Sequence, residues 1–143
     1  MIVYMKEVRI ILLNTKSREK QIVSFLEELK EFLCKDNFDI NTDFLLIKTQ
    51  KPDDEEHSTP YTLLDLDYDA FDVIERLKEL TISEYSETLI DKDDLNPPLL
   101  FVFGKDINRK TVYIKVKIKG ENKKRIICVS FHYAKDPMTF PFA

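Results

Sequence analysis

The chain has 143 residues, 43% hydrophobic content and a formal net charge of −4, a composition that suits one ordinary globular domain and excludes a disordered or fibrous protein. It has no run of roughly 18 apolar residues of the kind that spans a bilayer, and its apolar N-terminus is interrupted by Lys6, Glu7 and Arg9, unlike a signal peptide. We therefore expect a cytoplasmic protein with no membrane partner and a single domain over residues 1–143, in which residues 1–58 form an N-terminal extension and helix and residues 59–143 form the core.

The charges are distributed unevenly along the chain. Residues 51–100 hold 4 basic and 15 acidic side chains, whereas residues 101–143 hold 10 basic and 3 acidic ones. The negative total argues weakly against a nucleic-acid ligand, because phosphate binding requires Lys and Arg. The local excess of cations near the C-terminus nevertheless indicates an anion-binding sheet attached to an acidic region.

The N-terminal part predicts an extra strand or helix followed by a long helix. Residues 3–14 are strand-like but do not alternate cleanly, so both interpretations stay open. Apolar residues at helical spacing between Ile22 and Leu33 predict a helix with Ser17 as N-cap that ends near Lys35. Residues 43–49 (DFLLIKT) favour a strand, and residues 51–60 (KPDDEEHSTP) are typical of a solvated loop.

Two short helices and a turn are predicted next. Ser58 or Thr59 can cap a helix over YTLLDL, and Asp67 or Asp69 can cap a second helix. The buried face of that second helix is expected to hold four apolar residues: Phe71, Ile74, Leu77 and Leu80. A turn is expected in TISEYSETL, with Glu84 and Glu87 on a solvated helix face, and Pro97 and Pro98 exclude a strand from the 91–98 loop.

Three strands complete the chain, at 99–105 (LLFVFGK), 112–119 (VYIKVKIK) and 125–132 (RIICVSFH). Helices followed by hairpin-connected strands predict an α+β fold, with helices packed on a small antiparallel sheet. Cys34 and Cys128 lie far apart and have no disulfide or zinc spacing, so both are expected to be buried thiols. The acidic residues before His57 suggest a metal site, but they lack the glycine and spacing of a calcium loop, which favours a solvated loop.

The last two strands gather positive charge on one face. Alternation places four residues together on that face: Tyr113, Lys115, Lys117 and Lys119. If the apolar sets of both strands face the core, directly opposed residues have numbers of odd sum. Pairing Gly120 with Arg125 then leaves a four-residue loop. The resulting register places Tyr113 opposite His132, Lys115 opposite Ser130, and Lys117 opposite Cys128.

This face has the groups that metal-free RNA cleavage needs. A base must take the 2′-hydroxyl proton, an acid must protonate the leaving 5′-oxygen, and cations must stabilise the phosphorane. Histidine titrates near neutral pH, and a phenol and ammonium groups stand beside His132. The alternative is that the lysines only keep the hairpin soluble and protect its edges.

Five segments together resemble a known family: TLLDL, LTISEY, the Phe-Gly-Lys strand, VYIKVKI, and the ending ICVSFH followed by PMTFP. Over about residues 59–142 they are similar to the motility quorum-sensing regulator (MqsR) toxins and their relatives in the RelE-like ribonuclease superfamily. The resemblance implies a type II toxin that cleaves mRNA without a metal ion or other cofactor and is neutralised by a cognate antitoxin protein. It also implies a small antiparallel sheet packed on helices.

The resemblance also implies roles for individual residues. Tyr113 matches the catalytic tyrosine motif, Lys115 is the lysine of that motif, and His132 stands where the family has a functional lysine. Ser86 and Val102 replace a lysine and a glutamine of the family, and Lys105 is the candidate substitute.

The basic face adds three candidates for RNA binding, which are Lys117, Lys119 and Ser130. Lys105 is a fourth candidate. The alternative function is a non-catalytic prophage or regulatory module that retains the fold and binds a protein partner.

Overall fold

The computed structural model describes residues 15–90 and 99–143, which form an α+β structure. The predicted element over 3–14 and the predicted 91–98 loop lie outside the described residues. The helices are α1 (Thr15–Cys34), α2 (Ile40–Asp43), α3 (Thr59–Leu66) and α4 (Ala70–Lys78), with 3-10 turns at Glu55–His57 and Ile82–Glu84. The strands are β1 (Phe44–Leu46), β2 (Tyr85–Leu89), β3 (Leu100–Ile107), β4 (Lys110–Lys119) and β5 (Arg125–Tyr133).

The five strands form one mixed sheet in the order β1-β5-β4-β3-β2. The three pairs among β2, β3, β4 and β5 are antiparallel, whereas β1 runs parallel to β5. The prediction of a purely antiparallel sheet is therefore wrong. A parallel pair needs a long connection, and here that connection comprises everything between residues 46 and 125.

Helix α1 packs one apolar face onto the sheet. Its buried residues recur at helical spacing: Ile22, Phe25, Leu26, Leu29, Phe32 and Leu33. The Phe25 ring stacks on Phe101 with 4.1 Å between centroids, which fixes α1 across β3. The helix begins at Thr15, so Ser17 lies inside it and the predicted N-cap is wrong. Cys34 is exposed, against prediction, and Cys128 is buried as expected.

The caps of α3 and α4 are confirmed. The Ser58 hydroxyl accepts a hydrogen bond from the Tyr61 N–H, and Asp69 and Asp72 form a reciprocal capping box. The predicted burial of Phe71 is wrong, since its side chain is 64% exposed. Ile74, Leu77 and Leu80 are buried as predicted. Val73 rather than Phe71 joins Leu77 on that face, and Phe71 is left on the solvent side.

The predicted turn and helix face around Tyr85 is largely strand β2. A 3-10 turn over Ile82–Glu84 leads into it, and Tyr85 is buried with its ring 5.9 Å from that of Phe103. The interpretation of Glu84 and Glu87 as one solvated helix face is therefore wrong. As the edge strand beside β3, β2 brings Ser86 and Glu87 towards the hairpin.

The β4–β5 hairpin has the predicted register in its outer half only. Tyr113 lies opposite His132 and Lys115 opposite Ser130, as predicted. A β-bulge then leaves Val129 unpaired, so that Val116 lies opposite Cys128. One extra residue shifts all later pairs by one position.

The bulge overturns the predictions for the loop end of the hairpin. Lys117 pairs with Ile127 rather than with Cys128, and Lys119 rather than Gly120 pairs with Arg125. The loop consequently has five residues, and Gly120 occupies it with φ +102°, where a Cβ would lie 2.2 Å from the Lys123 carbonyl oxygen. Cys128 turns into the core, and Val129 and Ser130 both face outward.

Candidate functional site

The outer face of the hairpin forms one wall of an open cavity of about 610 Å³, here called the main cavity. Its β4–β5 wall consists of Tyr113, Lys115, Val129, Ser130 and His132. Thr49, Lys51, Thr59, Ser86, Glu87 and the tail residues 134–139 complete its lining. The predicted catalytic residues Tyr113, Lys115 and His132 are therefore brought together in one concave site.

The position of His132 is fixed through the edge of β5. Strand β1 pairs only with Ile126–Cys128, so the outer half of β5 needs other partners for its backbone N–H groups. Helix α3 supplies them, because the Phe131 N–H donates to Thr59 Oγ1 at 3.1 Å and the Tyr133 N–H donates to Thr62 Oγ1 at 3.0 Å. His132 lies between these two anchored residues.

Tyr113 and His132 form a stacked pair. Their ring centroids are 5.1 Å apart and their planes differ by 13°. Lys115 Nζ lies 5.9 Å from the centroid of the Tyr113 ring, within the range of a cation–π contact. The two aromatic groups thus hold each other in place beside a cation.

Hydrogen bonds determine which nitrogen of His132 can act as a base. Nδ1 lies 2.9 Å from the Tyr133 carbonyl oxygen, which can only accept, so Nδ1 carries the proton and donates. In the neutral ring Nε2 then has the lone pair. Lys51 Nζ lies 3.4 Å from Nε2 and also donates to the His57 carbonyl oxygen at 2.9 Å. The ammonium of Lys51 therefore covers the basic nitrogen.

Burial and nearby positive charge keep His132 neutral. Burial lowers the pKa of the imidazole, and the charges of Lys51, Lys115 and His57 lower it further, against the opposing effect of the Tyr133 carbonyl. The geometry agrees with this direction, because a protonated ring would present an N–H to the Lys51 ammonium.

Tyr113 keeps its proton for a different reason. Burial raises the pKa of its hydroxyl, and the charge of Glu87 raises it further. A neighbouring cation such as Lys115 would lower the pKa of a phenol, but here burial and a carboxylate dominate. The site thus pairs a neutral imidazole that can accept a proton with a phenol that can donate one.

The remaining predicted residues divide into two groups. Ser130 and Ser86 line the main cavity, whereas Lys105, Lys117 and Lys119 are not among its described lining residues. Lys105 instead forms an ion pair with Glu84 at 3.1 Å, and Lys117 is only 5% exposed. Val102 lies opposite Lys115 and is fully buried.

Lys51 and His57 are functional candidates that the sequence interpretation missed. Both belong to the acidic segment assigned to a solvated loop, yet their side chains are only partly exposed. His57 Nδ1 lies 2.7 Å from Asp54 Oδ1, and Asp54 also approaches Lys135 Nζ at 3.5 Å. The only local signal was the presence of a histidine in a chain that has two. The loop approaches His132 through tertiary packing, which no spacing rule predicts.

The tail closes the site from the other side. A Cβ built on Gly104 would lie 2.8 Å from Met138 Sδ and 2.8 Å from Phe140 Cζ. Glycine at position 104 therefore lets the Met138 and Phe140 side chains approach β3 this closely. This crossing places Lys135, Asp136 and Met138 at the rim of the main cavity.

The described residues contain neither a cluster of metal ligands nor a membrane-spanning helix. Among residues 15–90 and 99–143, no group of three or more His, Cys, Asp or Glu side chains is arranged to hold a metal ion. No helix within those ranges is long and apolar enough to cross a membrane.

Comparison with protein-family models, with curated proteins and with solved structures finds no significant match to this chain. The functional interpretation consequently depends on the residues of the cavity themselves.

Proposed function

We propose that this protein is a metal-independent endoribonuclease that cleaves mRNA at the main cavity. The observation that carries the proposal is the stacked Tyr113–His132 pair, which stands in a cavity lined by Lys51 and Lys115. A neutral base, a protonated acid and two cations are the set that transphosphorylation without a metal requires.

In the proposed reaction the RNA supplies its own nucleophile. Nε2 of His132 takes the proton of a ribose 2′-hydroxyl, and the 2′-oxygen attacks the adjacent phosphorus. The Tyr113 hydroxyl donates its proton to the leaving 5′-oxygen as the P–O5′ bond breaks. The products are a 2′,3′-cyclic phosphate and a free 5′-hydroxyl, and Lys51 and Lys115 stabilise the charge that develops on the phosphorane oxygens.

Lys51 has two successive roles in this scheme. Before RNA binds, its ammonium donates to Nε2 of His132 and keeps that nitrogen from accepting a proton. A phosphate oxygen is a stronger partner for an ammonium than a neutral imidazole, because the hydrogen bond then joins two opposite charges. Arrival of the phosphate therefore draws Lys51 away and frees Nε2 next to the 2′-hydroxyl.

The resemblance to RelE-like toxins supports the same reaction class and adds two proposals. The sheet and helices would be a variant of the MqsR-like architecture, with β1 added in parallel at one edge. The partner would be an antitoxin protein that neutralises the enzyme. Expression of the chain alone should then arrest growth, and co-expression of a small neighbouring gene should restore it.

Single-turnover cleavage of an end-labelled, single-stranded RNA tests the proposal. His132→Ala should reduce the rate by about 100-fold or more, as expected for a positioned acid or base. Tyr113→Phe should lose activity with little change in RNA binding, because the ring remains. Lys115→Ala should weaken both binding and rate. EDTA should change nothing, and the product should carry a cyclic phosphate.

A matched control separates site chemistry from the general loss of positive charge. Lys20→Ala removes a lysine from the exposed face of α1 and should leave cleavage unchanged. Full activity in both His132→Ala and Tyr113→Phe, with each variant folded, would rule out the mechanism. The protein-binding module would then be the better account of this chain.

A further inference from the structure

A second cavity of about 430 Å³ lies beside the main cavity and is here called the flanking cavity. Tail residues 134–138 line both cavities and form the wall between them. The other lining residues are Glu56, His57, Tyr61, Lys110, Thr111 and Tyr133. Its volume falls within the range of about 300–1,000 Å³ that small-ligand sites occupy.

Aromatic side chains give the flanking cavity a surface on which a planar ligand can stack. Tyr61 is 39% exposed, and its ring centroid lies 6.5 Å from that of Tyr133, with an interplanar angle of 72°. The Tyr133 hydroxyl donates to Asp65 Oδ2 at 2.6 Å, which holds that ring in place. Tyr61 is therefore supported on one side by a fixed ring and remains partly open to a ligand.

The flanking cavity contains both hydrogen-bond donors and hydrogen-bond acceptors. Lys110 and Lys135 can donate hydrogen bonds, and Glu56 and Asp136 can accept them. Lys110 Nζ lies 4.6 Å from the Tyr133 ring centroid. The two carboxylates balance the two lysines, so the flanking cavity lacks the excess of lysines that the main cavity has for a phosphate. A nucleobase, in contrast, has a π face for stacking together with donors and acceptors on its edges.

The two cavities are also joined through Lys51. Its Nζ bonds the backbone carbonyl of His57, whose side chain lines the flanking cavity, and approaches Nε2 of His132 in the main cavity. His57 is itself held by Asp54 at 2.7 Å. An RNA strand that crosses the wall between the two cavities would thus contact one connected set of side chains.

We propose that the flanking cavity binds the nucleobase of the nucleotide next to the phosphate held in the main cavity. This inference rests on the proposed function and deepens it, because it assigns a subsite for the adjoining base. Tyr61 supplies the stacking surface, and Glu56, Asp136, Lys110 and Lys135 meet the edge of the base.

The test compares the binding of uncleavable ligands with and without a base. Deoxyribose 3,5-bisphosphate has no base and no attacking 2′-hydroxyl, and the deoxynucleoside 3′,5′-bisphosphates add each of the four bases to it. Calorimetric titration at low salt should show that at least one base increases affinity by about 5- to 150-fold, the range of a base stacked on an aromatic side chain. Tyr61→Ala should abolish this increase and leave binding of deoxyribose 3,5-bisphosphate unchanged.

Phe71→Ala is the matched control, because Phe71 is an exposed aromatic residue of α4 that lines neither cavity. It should retain the full gain in affinity from the base. If ligands with and without a base bind the wild type equally, or if Tyr61→Ala keeps the gain, the subsite is refuted and the proposed function stands. If neither kind of ligand binds at low salt, the phosphate site fails as well, and both proposals are refuted.

Discussion

Replacing Thr62 by Val tests how α3 holds the strand that carries His132. Thr62 is fully buried, and its hydroxyl accepts from the Tyr133 N–H at 3.0 Å while donating to the Ser58 carbonyl oxygen at 3.1 Å. Valine has nearly the same shape, so the substitution removes the hydroxyl without opening a cavity. The Ser58 carbonyl keeps the helix bond from the Thr62 N–H, whereas the Tyr133 N–H loses its acceptor.

The expected cost is that of one buried, unsatisfied donor. Such a group costs about 1–3 kcal/mol, so we expect Thr62→Val to lower the free energy of unfolding by about 2 kcal/mol. For a chain of this size that corresponds to a fall in Tm of about 4–8 °C. Thr62→Ser keeps the hydroxyl and should retain most of the stability.

Urea titration followed by circular dichroism measures the change, with Thr139→Val as the control on an exposed threonine of the tail. The control should be close to wild type. Equal stability of Thr62→Val and the wild type would refute the conclusion that α3 completes the hydrogen bonding of β5. If Thr62→Ser were destabilised as strongly as Thr62→Val, the methyl group of Thr62 would contribute as much stability as its hydroxyl.

Four further predictions concern the cavity and its wall. Lys51→Met removes a charge that lowers the pKa of His132, so the NMR titration of that imidazole should move to higher pH; an unchanged titration would contradict the contact. Because the folded pKa of His132 lies below its unfolded value of about 6.5, His132 contributes stability above that pH, and the contribution should be lost as the pH falls through the folded pKa. Stability measured in His132→Gln should lack this component. Gly104→Ala should push Met138 away and cost about 1 kcal/mol in urea unfolding, since flexible side-chain ends can yield; no cost would mean that the tail is not held at Gly104. With two lysines on a single-stranded phosphate, log K against log salt should have a slope of about −1.4, and a slope near zero would exclude Lys51 and Lys115 as phosphate contacts.

The hairpin illustrates what alternation can and cannot predict. In β4 apolar and polar residues alternate strictly, so the face that carries Tyr113 and Lys115 follows from the sequence. In β5 the run Ile126, Ile127, Cys128 is apolar on both faces and fits either register equally well. Whether a bulge forms at Val129 depends on which of these side chains packs in the core against Val116. That choice depends on the packing of the whole sheet and not on the local sequence.

The loop that carries Lys51 was not predictable for a related reason. Its residues are charged and have no periodicity, so local rules assign it to solvent. Its position follows from the parallel pairing of β1 with β5, residues about 80 positions apart in the chain. Such non-local contacts leave no short-range signal. The sequence therefore did not predict that this loop brings Lys51 and His57 close to His132.

The charge balance of the main cavity explains how an acidic chain can present the proposed phosphate site. The cavity has three lysines, Lys51, Lys115 and Lys135, and two carboxylates, Glu87 and Asp136. Lys51 comes from the acidic segment, residues 51–100. Neither the total charge nor the charge of each segment therefore predicts the electrostatic field in the main cavity. Glu87 lies where it helps to keep Tyr113 protonated, and Lys51 lies where it helps to keep His132 neutral. A surface that only bound anions would gain nothing from Glu87, whereas a site that transfers protons needs each charge beside the group whose protonation it controls.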